Sequence, residues 1–122
     1  MAFDVRADQQ TNRIYITLSG FATIEDVTAF GRELEHAVGR LQSYRGPHQM
    51  LYDVSEAKIQ SQDVVQALRE LALQSPRTSA FALVNASALA GRQLSRIFDG
   101  IPVEVCRNHA EAAQWLDAQV SR

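Results

Sequence analysis

The chain has 122 residues, of which 46% are apolar and 21% are charged, and its formal net charge is −2. This size and composition predict one globular domain, residues 1–122, with a single sizeable core. The slight negative charge gives no bulk attraction to nucleic acid or to an anionic membrane, so we expect no nucleic-acid partner.

The amino-terminal part of the sequence predicts a β-hairpin and then a long helix. Phe3–Ala7 and Arg13–Ser19 show the two-residue alternation of strands, the second more clearly than the first. Thr23 and Asp26 have the spacing of a capping box, which marks the start of a helix. Apolar residues then recur at three- and four-residue steps, so we expect an amphipathic helix of about five turns that ends before Ser43–Pro47.

Strands alternate with helices in the rest of the sequence. We predict three strands, Met50–Val54, Ser79–Val84 and Ile101–Cys106, and three helices, Asp63–Leu73, Ser87–Phe98 and a last one that Asn108 caps together with Glu111. The order of elements is therefore ββαβαβαβα. Since crossovers in βαβ units place successive strands parallel, this order predicts an α/β fold with a mixed five-stranded sheet and four helices.

Targeting and cysteine signals narrow the location of the protein. Cys106 is the single cysteine of the sequence, so neither an intrachain disulfide nor a two-cysteine metal site is possible within it. The first residues lack the basic segment and apolar core of a secretory signal. No run approaches the ~18 apolar residues of a spanning helix. We therefore expect a cytoplasmic protein without stable membrane insertion.

Three segments, together with the order of elements, resemble the STAS domain, and in particular its SpoIIAA-like (STAS/SEC14-like) branch. They are RIYITLSGFATIEDV (13–27), LYDVSEAKIQSQDVV (51–65) and VCRNHAEAAQWL (105–116). The resemblance implies that fold and a small regulatory module that binds a protein or senses a ligand. In the best-known members a partner kinase phosphorylates a serine at the start of the helix after the central strand. Gln62 stands at that position here and the glycine of the motif is absent, so a module without the usual phosphorylation switch is expected.

The region that follows Met50–Val54 is the first candidate binding site, because ligands of open α/β sheets bind beyond the carboxyl ends of the strands. We expect one loop here to bind a partner or a polar ligand, with help from the turns Gly20–Thr23 and Asn85–Ser87. Its candidate side chains are Asp53, Ser55, Ser61, Gln62 and Asp63.

Each of these side chains also has a local interpretation. Asp53 and Ser55 are equally suited to hydrogen bonds with nearby loop amides. Ser61 is a possible phosphorylation site at a helix amino terminus, but the simpler interpretation, which we prefer, is an N-cap.

Two further groups are candidates for binding. Arg92 and Arg96 lie four residues apart on a predicted helix and, with Arg69, Arg77 or Arg107, would hold a phosphate or an acidic partner segment; ordinary solvated helix charge is the alternative.

A second group is aromatic. Phe21, Phe30 and Phe81 would line a pocket for the small apolar or lipid-like ligand that the SEC14-like comparison implies, in a cavity between the sheet and the first helix. A carrier of such a ligand is therefore the second function that we consider. The alternative is that the three phenylalanines are core residues, with Phe21 exposed.

The sequence shows no motif for an enzyme, a cofactor or a metal. His36, His48 and His109 lack the spacing of metal ligands, and no phosphate loop or dinucleotide fingerprint occurs. Cys106 and His109 are three residues apart but would need a third group to orient the base. We expect neither enzymatic activity nor a cofactor. A homodimer that forms through a helix face or an edge strand is a further hypothesis.

Overall fold

The computed structural model describes residues 2–41, 47–74, 78–84 and 88–120, and of residues 88–91 and 120 the backbone alone. The strands are β1 (Phe3–Asp8), β2 (Arg13–Gly20), β3 (His48–Ala57), β4 (Thr78–Val84) and β5 (Val103–Cys106). The helices are α1 (Ile24–Arg40), α2 (Gln62–Leu73), α3 (Ala88–Ser95) and α4 (His109–Val120). The predicted order of elements is confirmed.

The five strands form one mixed sheet in the order β1-β2-β3-β4-β5. β1 and β2 are an antiparallel hairpin, whereas β2, β3, β4 and β5 pair in parallel. Asn12 in the hairpin turn has φ 55°, a left-handed conformation that asparagine tolerates better than most residues. The parallel pairing brings the carboxyl ends of β2 to β5 to the same edge of the sheet, where the predicted site residues lie.

Helices cover the sheet unequally on its two faces. α1, α2 and the end of α3 bury the larger core, which includes Phe30, Leu68 and Leu94. α4 alone covers the other face and buries a smaller core beneath Ala112 and Leu116. The apolar stripe predicted on α1 is confirmed, because it supplies four of the buried side chains of that helix (Val27, Phe30, Leu34 and Ala37).

The helix starts agree with the capping signals in the sequence. Thr23 Oγ1 accepts from the Asp26 amide at 3.1 Å, and Asp26 Oδ2 accepts from the Thr23 amide at 2.9 Å. Ser61 Oγ accepts from the Val64 amide at 3.3 Å. These caps fix the amino termini of α1 and α2 at the carboxyl edge of the sheet.

Three elements differ from the predicted bounds by more than one residue. β3 does not end at Val54 but continues to Ala57, because the strand pairs with β2 again beyond a bulge that lies between Thr17 and Ser19 in the register. α3 ends at Ser95 and continues as a 3₁₀ turn over Arg96–Phe98. β5 begins after Pro102, whose nitrogen cannot donate to a ladder.

Candidate functional site

The structure divides the predicted loop site between the two faces of the sheet. Asp53 and Ser55 are not loop residues, since both belong to β3, and Asp53 bonds to α4. Ser61, Gln62 and Asp63 lie at the start of α2, which packs on the opposite face. The prediction that Asp53 and Ser55 lie in a loop was therefore wrong, because the sequence gives no sign that β3 continues past a bulge.

The Asp53 carboxylate is satisfied by its own surroundings. Its Oδ1 accepts from the Ser55 amide at 3.0 Å and from Ser55 Oγ at 2.7 Å. Its Oδ2 lies 2.7 Å from His109 Nε2 on the first turn of α4. Partial burial would raise the pKa of Asp53, but the hydrogen bonds from His109 and Ser55 outweigh it and hold the pKa below its ordinary value. The bond from the Ser55 amide agrees with the local interpretation of Asp53, whereas the Ser55 hydroxyl donates to a carboxylate and does not bind an amide.

Cys106 and His109 do not form a nucleophile and base pair in the structure. His109 directs Nε2 to Asp53, whereas the thiol of Cys106 lies 3.9 Å from the carbonyl oxygen of Glu104. Cys106 is 2% exposed, and burial, with smaller contributions from Glu111 and Glu104, raises its thiol pKa. A thiol that is held protonated in this way is a poor nucleophile.

Three large apolar side chains are exposed in the segments that connect β2 to α1 and β3 to α2 and at the first residue of α1. Phe21 is 73% exposed, Ile24 is 47% exposed and Ile59 is 50% exposed. We call these three residues the apolar edge. The exposure of Phe21 agrees with the sequence-based alternative, and Gly20 before it has φ 64°, which turns the chain out of β2. A cluster of exposed apolar side chains is a common mark of an interaction site.

Gln60 cross-links the two segments that carry the apolar edge. Its side chain is buried, and Oε1 accepts from the Ala22 amide at 2.8 Å. Its Nε2 donates to the carbonyl oxygens of Gly20 at 2.9 Å and Lys58 at 2.6 Å. The Lys58 amide also donates to Gly20 at 3.1 Å. These bonds hold Phe21 and Ile59 on one connected unit rather than on two independent loops.

Gln93 of α3 adds a third element to this unit. Its Oε1 accepts from the Gln60 amide at 2.7 Å, and its Nε2 donates to the Gln60 carbonyl oxygen at 2.5 Å. Neither glutamine was identified from the sequence, because their bonding depends on contacts between residues more than thirty positions apart. The sequence does carry a signal for Ile59, since it is a single large apolar residue in the polar run Lys58–Asp63.

The predicted arginine cluster is only partly assembled. Arg92 and Arg96 are both exposed, and Arg69 Nη1 donates to the carbonyl oxygens of Arg96 at 3.3 Å and Ile97 at 3.2 Å. Arg107 instead forms an ion pair with Glu111 at 3.1 Å. Arg77 and the turn Asn85–Ser87 lie outside the described residues. Arg69 thus caps the carbonyl end of a helical turn, where the backbone dipole disfavours an anion.

One cavity beside the sheet, among the described residues, is small. Phe30 and Phe81 are buried core residues. Their rings belong to an aromatic cluster with Phe3, Tyr52 and Phe98, in which Phe3 stacks on Phe30 with ring centroids 4.4 Å apart. The cavity that Phe3, Tyr52 and Phe98 help to line measures about 10 Å³, roughly the space of one water molecule. The carrier hypothesis gains no support from this cavity.

The described ranges contain neither a cluster of metal ligands nor a membrane-spanning helix. None of those residues forms a group of three or more His, Cys, Asp or Glu side chains that could hold a metal ion. No helix in the same part of the chain is long and apolar enough to cross a membrane.

Two solved structures are similar to the chain over nearly its whole length. An uncharacterised protein from Shewanella loihica PV-4, of the DUF3478 family and with a SpoIIAA-like fold, is 18% identical with a TM-score of 0.69; the match covers 94% of this chain and 92% of that one. An anti-sigma factor antagonist from Mycobacterium paratuberculosis is 11% identical with a TM-score of 0.64, and the match covers 94% of each chain. The chain has a SpoIIAA-like fold.

This result confirms the fold that the sequence resemblance implied. No family model and no curated protein matches the sequence. At these identities the likeness to the two structures concerns the fold, and function must be argued from the site. The chain's own packing gives no reason for the exposure of the three apolar side chains of the apolar edge.

Proposed function

We propose that the chain is a regulatory protein-interaction module that binds its partner through the apolar edge. The observation that carries this proposal is the exposure of Phe21, Ile24 and Ile59 on segments that Gln60 cross-links. A preorganised apolar surface binds with a small loss of conformational entropy, because its segments are ordered before the partner arrives. The fold likeness to an anti-sigma factor antagonist supports a regulatory role by analogy.

Recognition in this proposal needs no phosphorylation. Gln62 carries no hydroxyl group, and the Ser61 hydroxyl is engaged as the N-cap of α2. Ser61, Gln62 and Asp63 contribute a polar margin to the surface, whereas Asp53 and Ser55 belong to the α4 side of the sheet and take no part. We place the module in the cytoplasm, where regulatory partners of this kind are found.

Site-specific photo-crosslinking tests the proposal in the native host. A photoreactive phenylalanine analogue replaces Phe21 in one variant and Val105 in a matched control, since Val105 is 53% exposed but lies on the edge strand β5. We expect a defined protein adduct from position 21 and none from position 105.

The binding of the captured protein is then measured with purified components. The change Phe21→Ser should weaken that binding by about tenfold or more, as expected for an aromatic anchor at an interface. The proposal fails if the two positions give the same adducts, or if the purified partner binds the Phe21→Ser variant as tightly as the parent chain.

A further inference from the structure

The two segments that carry the apolar edge are rich in carboxylates. The segments Gly20–Asp26 and Glu56–Asp63 contain all three apolar residues and four carboxylates, which belong to Glu25, Asp26, Glu56 and Asp63. Lys58 is the single basic residue of these two segments. We call the four carboxylates the acidic rim.

An open groove between α1 and α2 extends the same surface. Ile24 lines this groove as well as belonging to the apolar edge, and the groove encloses about 320 Å³. Gly31 allows α2 to approach, because a Cβ atom there would lie 3.3 Å from Leu71 Cδ2. The charged residues that line the groove are Arg32, Glu35 and Glu70.

The acidic rim and the groove together hold six carboxylates and two basic side chains, which are Lys58 and Arg32. The formal net charge of the whole chain is only −2, so this surface is more negative than the chain as a whole and the rest of the chain is net positive. The negative charge is concentrated where the apolar side chains are exposed.

Helix chemistry accounts for part of this charge but not for all of it. Asp26 belongs to the capping box of α1, and Glu25 and Asp63 lie in first turns, where carboxylates complement the helix dipole. Glu35 and Glu70 lie beyond the first turns, and Glu56 belongs to β3. Helix capping therefore gives no reason for half of the six carboxylates.

We propose that the partner of the apolar edge is a protein surface with an apolar pocket for Phe21 and a surrounding ring of Lys or Arg side chains. This inference rests on the proposed function and specifies the chemistry of its partner. Complementary charge around an apolar contact accelerates association and selects among competing partners. The same carboxylates repel a membrane rich in anionic lipid, which attracts basic and not acidic surfaces.

Two synthetic peptides of equal length test the charge preference. One is an amphipathic helix of leucine and lysine, and the other has glutamate in place of lysine. Binding to the full chain, labelled with ¹⁵N, is followed by amide shift changes at low salt. We expect the lysine peptide to shift Gly20–Asp26 and Glu56–Asp63 with an affinity at least about tenfold higher than that of the glutamate peptide.

Variants of the chain separate the apolar contribution from the charge contribution. The double change Glu25→Lys and Asp63→Lys should weaken binding of the lysine peptide by about tenfold, and so should Phe21→Ser. The change Glu104→Lys on β5 alters the net charge of the chain away from this surface and should have little effect.

The outcomes distinguish this inference from the proposed function on which it rests. If binding depends on Phe21 but is unchanged by the double charge reversal, the basic partner is wrong and the apolar edge stands as a binding surface. If the lysine peptide binds the Phe21→Ser variant normally, the apolar edge itself is not the site. Phe21-dependent binding to vesicles of phosphatidylcholine and phosphatidylglycerol would overturn the inference in favour of a membrane.

Discussion

The apolar edge and the polar residues Asp53 and His109 on the α4 face lie at the same end of the sheet. The two regions differ in whether their side chains are bonded within the chain or exposed to solvent. On the α4 face, polar groups find partners within the chain, as in the bond between Asp53 and His109. At the apolar edge, the buried Gln60 is fully bonded while Phe21 and Ile59 remain in solvent. A polar residue at this edge of the sheet is therefore weak evidence for a binding site, whereas an apolar side chain that is held in solvent is stronger evidence.

Among the polar contacts, the largest effect on stability should come from the network beneath α4. Gln49 Oε1 accepts from Arg13 Nε at 3.1 Å and Nη2 at 2.9 Å, and Gln49 Nε2 donates to the Leu116 carbonyl oxygen at 2.6 Å. The change Gln49→Ala removes these partners from a buried cation and a carbonyl group, so we expect the free energy of unfolding to fall by about 3 kcal/mol.

Urea denaturation measures this loss, and the other partner of Arg13 supplies the control. Asp117 pairs with Arg13 Nη2 at 2.8 Å but its side chain is 71% exposed, so Asp117→Asn should cost about 1 kcal/mol or less. Partner binding at the apolar edge should be unchanged in both variants. Equal losses from the two changes would show that burial does not set the strength of this network.

The second effect concerns Gln60, which lies next to Ile59 of the apolar edge but is buried like a residue of the core. Gln60→Ala removes the hydrogen bonds to Ala22, Gly20 and Lys58 and should lower the free energy of unfolding by about 2 kcal/mol. Hydrogen exchange should become faster at the amides of Ala22 and Lys58, because their segments are no longer cross-linked. The exposed neighbour is the control, since Gln62→Ala should change neither quantity; unchanged exchange in Gln60→Ala would argue against the cross-link.

The third effect is a pH dependence on the α4 face. The pKa of Asp53 is lowered in the folded protein, so its charge stabilises the fold above the pKa of an unfolded carboxyl group, about 4. That contribution is lost as the pH falls through the lower folded pKa. Asp53→Asn retains an acceptor for the Ser55 amide and should cost about 1 kcal/mol at neutral pH.

The difference between Asp53→Asn and the parent chain should vanish in acid, as measured by urea denaturation over a series of pH values. A double-mutant cycle with His109→Ala assigns the effect to the bond of 2.7 Å between the two side chains. A difference that persists unchanged in strong acid would show that the carboxylate charge is not its source.

The sequence predicts the fold more fully than the site, and the reason is the range of the interactions involved. Strand alternation, the stripe on α1 and the caps at Thr23 and Ser61 are local patterns, so the order of elements could be read directly. The extra residue that continues β3 depends on its pairing with β2, which no local pattern shows. Exposure of Ile24 and the bonds of Gln60 likewise depend on how distant segments pack.

The smallest effect on stability should come from the residue to which we assign the largest effect on binding. Phe21 is 73% exposed, so Phe21→Ser should change the free energy of unfolding by no more than about 0.5 kcal/mol. Phe30 is 1% exposed and is the matched control, since Phe30→Ala should cost about 4 kcal/mol in the same urea titration. A stability loss from Phe21→Ser approaching that of Phe30→Ala would mean that Phe21 packs against the chain itself. Phe21 would then resemble the side chains that pack within the chain, and it could not be counted among the side chains that are available to a partner.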